Sequence, residues 1–290
     1  MFLSNRSLTP QSVQLMAADN LQHLEQFLSP LCPGGIALAF SGGVDSSLLL
    51  ALLVKMQREE KFPLLVLSAR STLQSAGDLA EINAVAAGYG VEVHFVNCDV
   101  LAIAEVKHND PRRCYHCKKF LFETMLAKAA EQGVSTLLEG THADDLKSYR
   151  PGRRALAELG VRSPLAELGI SKSEVRAMAK ALHVKTAERP SSPCLATRFD
   201  YGTELTEEKL RMAGEGERVL RELLPDDADL RLRIHGKLGR IEVNDRYFSL
   251  VLSQRHRVIQ ELEKLGFERI TLDIAGFYTG SFDRQQKKEM

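Results

Sequence analysis

Short, wholly apolar runs alternate with longer mixed segments over the first two thirds of the chain. Ile36-Ala-Leu-Ala-Phe40 is the first such run, and its lack of polar positions is typical of a strand in a parallel sheet covered on both faces. The same reasoning predicts further strands at 64–68, 91–96 and 136–139, and helices at 44–57, 77–87 and 117–131. This alternation predicts βαβ units and therefore an α/β fold with a doubly wound parallel sheet.

The pattern changes after residue 140. Residues 140–165 and 187–205 are irregular and contain glycine and proline. Between them, Ser171-Lys-Ser-Glu174 has the spacing of a capping box and predicts a helix to about Leu182. Beyond residue 200 the pattern predicts, in order, a helix at 206–223, strands at 230–235 and 239–243, a helix at 253–265 and a strand at 269–274. We therefore expect a domain boundary near residue 200 and a smaller C-terminal α+β domain with an antiparallel strand pair.

Composition narrows the class of protein. Of the 290 residues, 44% are apolar and 26% are charged, which is ordinary for a globular protein and argues against a disordered or fibrous chain. The chain has 38 Lys and Arg against 38 Asp and Glu, so it lacks the basic excess typical of nucleic-acid binders. Its apolar runs fall far short of the ~20 residues that a bilayer span needs, and no secretion signal is recognised. We expect a cytoplasmic protein that binds neither membranes nor nucleic acid.

Ser41-Gly-Gly-Val-Asp-Ser-Ser47 carries the clearest chemical signal, because it lies between a predicted strand and a predicted helix. Two glycines let the backbone turn tightly, and the helix that follows presents free N–H groups and its positive dipole end to an anion. The serines add hydroxyl donors, and Asp45 is placed to hold a cation that neutralises phosphate charge. The segment therefore predicts a pyrophosphate-binding turn, distinct from a Walker loop because Gly-x-x-x-x-Gly-Lys is absent. An ordinary serine-capped turn is the alternative.

Three of the five cysteines form a second candidate site. Cys114-Tyr-His-Cys117 opens a predicted helix, where the dipole and neighbouring cations favour thiolates, and Cys194 lies in a proline-containing loop. Three thiolates suit a soft metal or an iron–sulfur cluster, and a [4Fe–4S] cluster with three protein ligands keeps one iron open for an extra sulfide. A zinc site completed by His116 is the alternative. Cys32 and Cys98 are expected to be ordinary small apolar residues.

The glycine-rich loop resembles the PP-loop of the ATP pyrophosphatases, which cleave ATP to AMP and pyrophosphate while they adenylate a substrate oxygen. Further motifs follow it in order: Glu139-Gly-Thr-His-Ala-Asp-Asp145, Tyr149-Arg-Pro-Gly152, Val161-Arg-Ser-Pro164 and Pro193-Cys-Leu-Ala196. Together they resemble the LarE family, the sulfur transferases of nickel-pincer nucleotide synthesis, over residues 15–275. The resemblance implies a homo-oligomeric cytoplasmic enzyme, with a PP-loop ATP pyrophosphatase domain over residues 1–200 and a substrate-binding and oligomerisation domain over residues 201–290.

The resemblance also implies a reaction and its residues. A carboxylate of pyridinium-3,5-biscarboxylic acid mononucleotide would attack the α-phosphate of ATP, and sulfur from sulfide or another donor would then displace AMP. The residues expected to bind ATP and Mg²⁺ are Ser41, Gly42, Gly43, Asp45, Ser46, Gly140, Thr141 and Asp144. Arg231 and Arg233 would bind the substrate phosphate, with a pair of solvated strand arginines as the alternative. Cys114, Cys117 and Cys194 would hold the [4Fe–4S] cluster, and the expected catalytic residues are Cys194, Asp45 and Glu217.

Several alternatives stay open at this point. Some LarE-type enzymes sacrifice the sulfur of the cysteine that matches Cys194 and are left with dehydroalanine after one turnover. A PP-loop tRNA thiolase also combines this loop with cysteines, but the neutral charge and the lack of an aromatic RNA platform count against it. An amide-forming ligase would need none of the three cysteines. A nucleotide-sensing metal-binding protein would never turn ATP over.

Overall fold

The structure is a computed structural model that describes residues 10–147, 151–188, 193–225 and 227–278. Its internal contacts divide the chain into two compact units, each assembled from three stretches of sequence. Unit 1 takes residues 1–69, 81–98 and 118–189, and unit 2 takes residues 70–80, 99–117 and 190–290. The division of the chain near residue 200 into a nucleotide-binding and a substrate-binding domain stays a prediction.

Unit 1 contains a four-stranded sheet with the strand order β3-β2-β1-β4. The strands are β1 (Ile36–Ala39), β2 (Leu64–Arg70), β3 (Val93–Asn97) and β4 (Thr136–Leu138). Strand β1 pairs in parallel with β2 on one side and with β4 on the other. All four strands were expected from their short apolar runs, and the parallel sheet flanked by helices confirms the predicted α/β fold.

Eight helices accompany these strands among the described residues up to residue 188. They are α1 (Pro10–Leu28), α2 (Val44–Glu59), α3 (Ala76–Ala87), α4 (Ala104–Lys107), α5 (Arg113–Glu131), α6 (Gly152–Glu158), α7 (Pro164–Glu167) and α8 (Lys172–Ala181). Helix α8 packs against α1 and α2, and the predicted capping box at its start is confirmed. Helix α5 begins at Arg113, four residues before its predicted start, so both cysteines of the pair lie inside the helix.

Unit 2 contains a three-stranded sheet in the order β5-β6-β7. Its elements are α9 (Glu207–Arg221), β5 (Leu230–His235), β6 (Leu238–Val243), α10 (Phe248–Ser253), α11 (Arg255–Lys264) and β7 (Arg269–Leu272). The predicted antiparallel pair is confirmed as β5 and β6, while β7 runs parallel to β6. Helix α9 packs on β5 so closely that a Cβ on Gly216 would overlap Leu232, which accounts for a glycine within a helix. No helix in the described part of the chain is both long and apolar enough to cross a bilayer.

Candidate functional site

Two motif-bearing segments leave the sheet of unit 1 side by side. Strand β1 lies between β2 and β4, so the strand order reverses between β1 and β4. Ligands of open α/β sheets bind at the carboxyl ends of the strands at such a reversal. Leu38 of β1 pairs with Leu138 of β4, and the segments that follow them are the PP-loop, Ser41–Ser47, and the Glu139–Asp145 motif. The fold therefore places both at the usual ligand-binding point.

The PP-loop is closed on itself by Ser46. Its hydroxyl accepts a hydrogen bond from the Ser41 backbone N–H at 3.3 Å, lies 3.2 Å from the Ser41 hydroxyl and donates to the Gly43 carbonyl at 3.1 Å. Gly42 has φ +71°, a conformation that strains any residue with a side chain. Helix α2 starts directly after Gly43, and the N–H groups of its first turn lack intrahelical partners, as in every α-helix. This arrangement suits an anion.

Asp45, in the first turn of α2, forms an ion pair with Lys172. The Lys172 ammonium lies 2.7 Å from each oxygen of the Asp45 carboxylate, and both side chains are partly exposed. Lys172 is the first residue of α8, and its backbone N–H donates to the Asp144 carboxylate at 2.8 Å. Hydrogen bonds from Lys147 and from that N–H hold the pKa of Asp144 below its ordinary value. The start of α8 thus joins the two acidic residues expected near the phosphates.

The Glu139-Gly140-Thr141 segment packs directly on the PP-loop. A Cβ added at Gly140 would lie 3.0 Å from both the Asp45 Cβ and the Ser46 backbone nitrogen, so a side chain here would force the PP-loop backbone to shift by a few tenths of an ångström. Thr141 donates to Glu139 from its backbone N–H at 2.9 Å and from its hydroxyl at 2.8 Å. Glu139 is itself buried. Gly140 therefore shapes the turn, and Glu139 fixes the segment that follows.

The three-cysteine site lies in unit 2. Cys114 and Cys117 are one turn apart on α5, a spacing that places them on the same helix face, and Cys194 immediately precedes a 3₁₀ turn at Leu195–Arg198. All five cysteines of the chain are thiols rather than disulfides. Cys32 and Cys98 are buried, and burial raises the pKa of each, which confirms their assignment as ordinary apolar residues.

Asn109 connects the segment before α5 to the loop of Cys194. It is fully buried and adopts φ +50°, a conformation that asparagine tolerates better than most residues. Its side-chain amide donates to the carbonyl oxygens of Ala196, Phe199 and Asp200 at 3.4, 3.1 and 2.9 Å. One side chain five residues before Cys114 therefore holds the backbone just after Cys194.

Arg198 and Glu217 hold the same loop from its other side. The Arg198 guanidinium is 2% exposed and donates to the Pro193 and Cys194 carbonyl oxygens at 2.8 and 3.2 Å. Glu217 of α9 accepts from Arg198 Nε and Nη2 at 2.8 and 2.7 Å, and from the Leu232 backbone N–H at 3.0 Å. Glu217 thus contacts Arg198, which in turn contacts the Cys194 carbonyl, and its expected role as a catalytic residue stays a prediction.

Arg231 and Arg233 are buried on β5, so the alternative of solvated strand arginines is wrong. Arg233 Nε donates to Glu242 at 3.0 Å, and the Arg231 guanidinium lies over the Phe277 ring at 5.1 Å. Burial, together with repulsion from Arg198 and Arg233, lowers the pKa of Arg231 to about 10, so it stays charged at neutral pH. Counting Arg240, which lies 3.3 Å from Glu242 and pairs with Asp273, four guanidinium groups share this region with three carboxylates, a balance that favours an anionic ligand.

Within the described ranges, no three Cys, His, Asp or Glu side chains stand in an arrangement that could hold a metal ion. Convergence of the three cysteines on one metal therefore remains a proposal, as does the alternative zinc site. His116, its suggested fourth ligand, lies 3.7 Å from Glu105 and packs edge-on against Tyr115. The motif residues at 148–150 and 189–192 lie outside the described residues.

Several residues of these sites could not be identified from the sequence. Lys172, Asn109 and Arg198 carry no recognisable motif of their own, and each acts on a partner brought close by the fold. Lys172 reaches a carboxylate 127 positions away, and Asn109 bonds to carbonyls 87 to 91 positions away. A usable signal existed only for Lys172, because it directly follows the N-cap serine of a clear capping box and so had to lie at a helix start.

Comparison with known proteins agrees with this geometry. Residues 16–148 match the family model of the PP-loop domain. The fold and the phosphate-binding turn therefore define a PP-loop ATP-binding protein.

Relatives of known sequence narrow the class further. An uncharacterized protein of Synechocystis sp. is 33% identical over 93% of this chain and 98% of its own length. The pyridinium-3,5-bisthiocarboxylic acid mononucleotide synthase of Lactiplantibacillus plantarum is 32% identical over 84% of this chain and 87% of its own length. A tRNA-specific 2-thiouridylase of Magnetococcus marinus is 27% identical over 58% of each chain. The chain belongs to the family of the Lactiplantibacillus synthase and is an ATP-dependent sulfur transferase of the PP-loop class.

Proposed function

We propose that this enzyme adenylates a carboxylate of pyridinium-3,5-biscarboxylic acid mononucleotide and then replaces AMP with sulfur to give the thiocarboxylate. The proposal is carried by one observation: the PP-loop, Gly140 and the start of α8 are assembled around Asp45 at the strand-order reversal. Family membership supplies the substrate class, because the Lactiplantibacillus relative is named for the corresponding bisthiocarboxylic acid mononucleotide.

ATP would bind with its phosphates on the PP-loop. The first-turn N–H groups of α2 and the hydroxyls of Ser41 and Ser46 supply donors, and Lys172 supplies a positive charge. Asp45 fits a Mg²⁺ ion, because its carboxylate is a hard oxygen ligand, is partly exposed and lies in the first turn of the phosphate-binding helix. Bound Mg²⁺ would neutralise phosphate charge. Gly140, Thr141 and Asp144 are proposed to face the nucleotide.

Adenylation proceeds by displacement at phosphorus. A carboxylate oxygen of the substrate bonds to the α-phosphorus, the bond from that phosphorus to the bridging oxygen breaks, and pyrophosphate leaves. Charge grows on the departing oxygens, where the helix dipole and Lys172 stabilise it. In the second step a sulfur nucleophile bonds to the acyl carbon. The bond between that carbon and the AMP oxygen breaks, and AMP leaves. Arg231 and Arg233 would hold the substrate phosphate during both steps.

The sulfur half of the reaction is assigned to the three cysteines. The donor set of Cys114, Cys117 and Cys194 suits a [4Fe–4S] cluster, and the buried cation Arg113 directly precedes Cys114, although the described side chains do not themselves form a group that could hold a metal ion. The cluster would supply an iron with an open position for a transferable sulfide. Asn109 and Arg198 position Cys194, and Glu217 positions Arg198. The alternative within the same reaction is that Cys194 surrenders its own sulfur.

The experiment measures pyrophosphate release and product mass separately, with the mononucleotide substrate, ATP, Mg²⁺ and sulfide in the absence of oxygen. Asp45→Asn should abolish both readouts, while Asp19→Asn, an exposed carboxylate on α1, should change neither. Cys194→Ser should retain pyrophosphate release and lose the mass change that exchange of oxygen for sulfur produces. Substrate-independent pyrophosphate release, or none with any pyridinium carboxylate, would refute the adenylation step.

The source of sulfur is tested by counting turnovers. Cluster-dependent transfer predicts several products per chain in the parent and none in Cys114→Ala. Sacrifice of Cys194 predicts at most one product per chain, a matching loss of sulfur from the Cys194 peptide, and no effect of Cys114→Ala. Iron and acid-labile sulfide, measured on the same samples, show whether a cluster is present.

A further inference from the structure

The ammonium group of Lys172 lies where a metal ion on Asp45 would have to bind. It is 2.7 Å from each oxygen of the Asp45 carboxylate, so both oxygens face the same cation. The Lys172 side chain is 32% exposed and the Asp45 side chain 23%, so water and salt screen this pair less than an ion pair on the open surface. A divalent ion on the same two oxygens would be repelled by the ammonium at close range. Lys172 and Mg²⁺ are therefore competitors for Asp45.

The Asp45 carboxylate holds the Lys172 charge in an otherwise unfavourable position. Lys172 is the first residue of α8, and Asp45 lies in the first turn of α2. Both helix starts carry the positive end of a dipole, which disfavours a cation and favours an anion. Among the described residues the ammonium has no other hydrogen-bond acceptor or ion-pair partner, although it carries three donors. A more highly charged anion nearby would therefore attract it away from Asp45.

The backbone of Lys172 is fixed, whereas its side chain can turn. Its backbone N–H donates to Asp144 at 2.8 Å, and the preceding Ser171 begins the capping box of α8. The side chain ends in a compact charge on a flexible four-carbon stem. One residue separates Asp45 from Gly43 of the PP-loop, so the ammonium starts close to the phosphate-binding turn. It can exchange one anion for another without a change in α8.

We propose that Lys172 keeps divalent metal ions off Asp45 until ATP binds, and so makes the metal site dependent on the nucleotide. Without nucleotide, the ammonium neutralises Asp45. The triphosphate, with its several negative charges, draws the ammonium onto its own oxygens and leaves the Asp45 carboxylate to Mg²⁺. The inference rests on the proposed function in two respects, because it takes the PP-loop as the phosphate site and Asp45 as the metal ligand. It adds to that function the residue that sets the order of binding.

The first test measures metal binding by the full chain without nucleotide. Mn²⁺ prefers the same oxygen ligands as Mg²⁺, and electron paramagnetic resonance reports how much of it stays unbound. Lys172→Met should bind Mn²⁺ about ten-fold more tightly than the parent, because a competing charge beside the carboxylate has been removed. Adding Asp45→Asn to Lys172→Met should abolish the gain, which assigns it to Asp45 and separates it from any other metal site of the chain.

The second test measures binding of ATP without metal, by calorimetric titration in excess EDTA. Lys172→Met should bind metal-free ATP about ten-fold more weakly than the parent, because the phosphates lose the cation that moves onto them. One substitution thus strengthens metal binding and weakens nucleotide binding. A purely structural role of Lys172 would not predict opposite signs, since a disturbed site binds both ligands less well. Equal Mn²⁺ affinity in parent and variant, or equal affinity for metal-free ATP, overturns the proposal.

Three further variants serve as controls. Lys172→Arg keeps the positive charge and should bind Mn²⁺ as weakly as the parent. Lys180→Met removes an exposed lysine of the same helix, which pairs with Glu188, and should change neither affinity. If Lys172→Met fails to fold, Lys172→Gln replaces it with the same expected results, because glutamine is uncharged but keeps a hydrogen-bond donor for Asp45.

These measurements separate the inference from the proposed function, because neither contains the mononucleotide or sulfide. If the mononucleotide proves not to be the substrate, the two affinities still decide the role of Lys172. If adenylation of the mononucleotide is confirmed but parent and Lys172→Met bind Mn²⁺ equally, the inference fails and the proposed function stands.

Discussion

Replacing Glu217 by Gln should destabilise unit 2 strongly, because it breaks a buried ion pair from one side only. Glu217 receives two hydrogen bonds from Arg198 and one from the Leu232 backbone, and the Arg198 side chain is 2% exposed. Removing one partner of such a pair leaves an uncompensated buried charge, which costs about 3–5 kcal/mol. A glutamine oxygen can keep part of the hydrogen bonding, so we expect the lower end, ~3 kcal/mol.

Urea unfolding followed by circular dichroism measures this loss. With a slope of roughly 2 kcal/mol/M, the transition that reports unit 2 should move to lower urea by about 1.5 M. Glu215→Gln is the matched control two residues away, because Glu215 pairs with Arg218 at 2.8 Å on the exposed face of the same helix. Its cost should stay below about 0.5 kcal/mol. Equal shifts in the two variants would refute the buried-pair argument.

The pair can also be removed from both sides. Combining Arg198→Met with Glu217→Gln also removes the buried Arg198 charge that the single variant leaves uncompensated. The double variant should therefore be more stable than Glu217→Gln alone. Sulfur transfer should stay impaired in it, because the Cys194 carbonyl has lost its Arg198 donor. A double variant less stable than either single one would show that packing, rather than charge, dominates at this position.

Three further predictions concern unit 1. Gly140→Ala should weaken ATP binding by about ten-fold in calorimetric titration, because its Cβ would press on the PP-loop backbone, whereas Gly34→Ala, with no atom within 4 Å, should have no effect. Lys172→Met should slow substrate-dependent pyrophosphate release by roughly 100-fold, since it removes a positive charge beside the phosphate site. Glu174 has a pKa lowered from its ordinary value of 4.5 by hydrogen bonds from Ser171, so its stabilising effect is complete above pH 4.5 and is lost as the pH falls through the folded-state pKa. Glu174→Gln should therefore be less stable than the parent at pH 7 and should approach it below that pKa.

Each of these has a result that would contradict it. A Gly34→Ala variant as defective as Gly140→Ala would show that close approach is not the cause. For Lys172, the comparison is Lys180→Met, an exposed lysine of the same helix paired with Glu188, which should keep full activity. A Glu174→Gln chain whose stability difference from the parent is the same at acid and neutral pH would show that ionisation of Glu174 contributes nothing.

The strands and most helices were predictable because burial on both faces leaves a local mark in the sequence. The strands of unit 1 match short, largely apolar runs, and those of unit 2 match segments in which apolar and charged residues are mixed. The PP-loop was recognisable because two glycines between a strand and a helix constrain the backbone directly. The first turn of α5 was missed for the opposite reason. Among residues 113–116 only Arg113 is buried, and it is charged. These residues therefore show no helical spacing of apolar positions from which the helix could be predicted.

The contacts that shape the two sites were not predictable in the same way. The sequence shows that residue 140 is a glycine. It does not show why a glycine is required there, because the reason is the close approach of Asp45 and Ser46 in the folded chain. The burial of Arg231 likewise was not predictable, because residues 230–234 are buried on both faces of β5, whereas alternating leucine and arginine is typical of a strand with one exposed polar face. Pairing between distant positions is a property of the folded chain, so a single sequence considered alone gives little indication of it.

Each unit is built from three separate stretches of sequence, so unit 1 is fully synthesised before unit 2 is. Ribosomes deliver residues from the N-terminus, so every stretch of unit 1 has emerged once residue 189 is out. Cys114 and Cys117 emerge well before that point, yet they belong to the unit whose last stretch begins at residue 190 and carries Cys194, Arg198 and strand β5. Cys114 and Cys117 therefore leave the ribosome long before Cys194, Arg198 and strand β5. Unit 2 can complete its fold only after these later residues have been synthesised. A nascent chain stalled before residue 190 would hold all the PP-loop residues together with Cys114 and Cys117, but without Cys194.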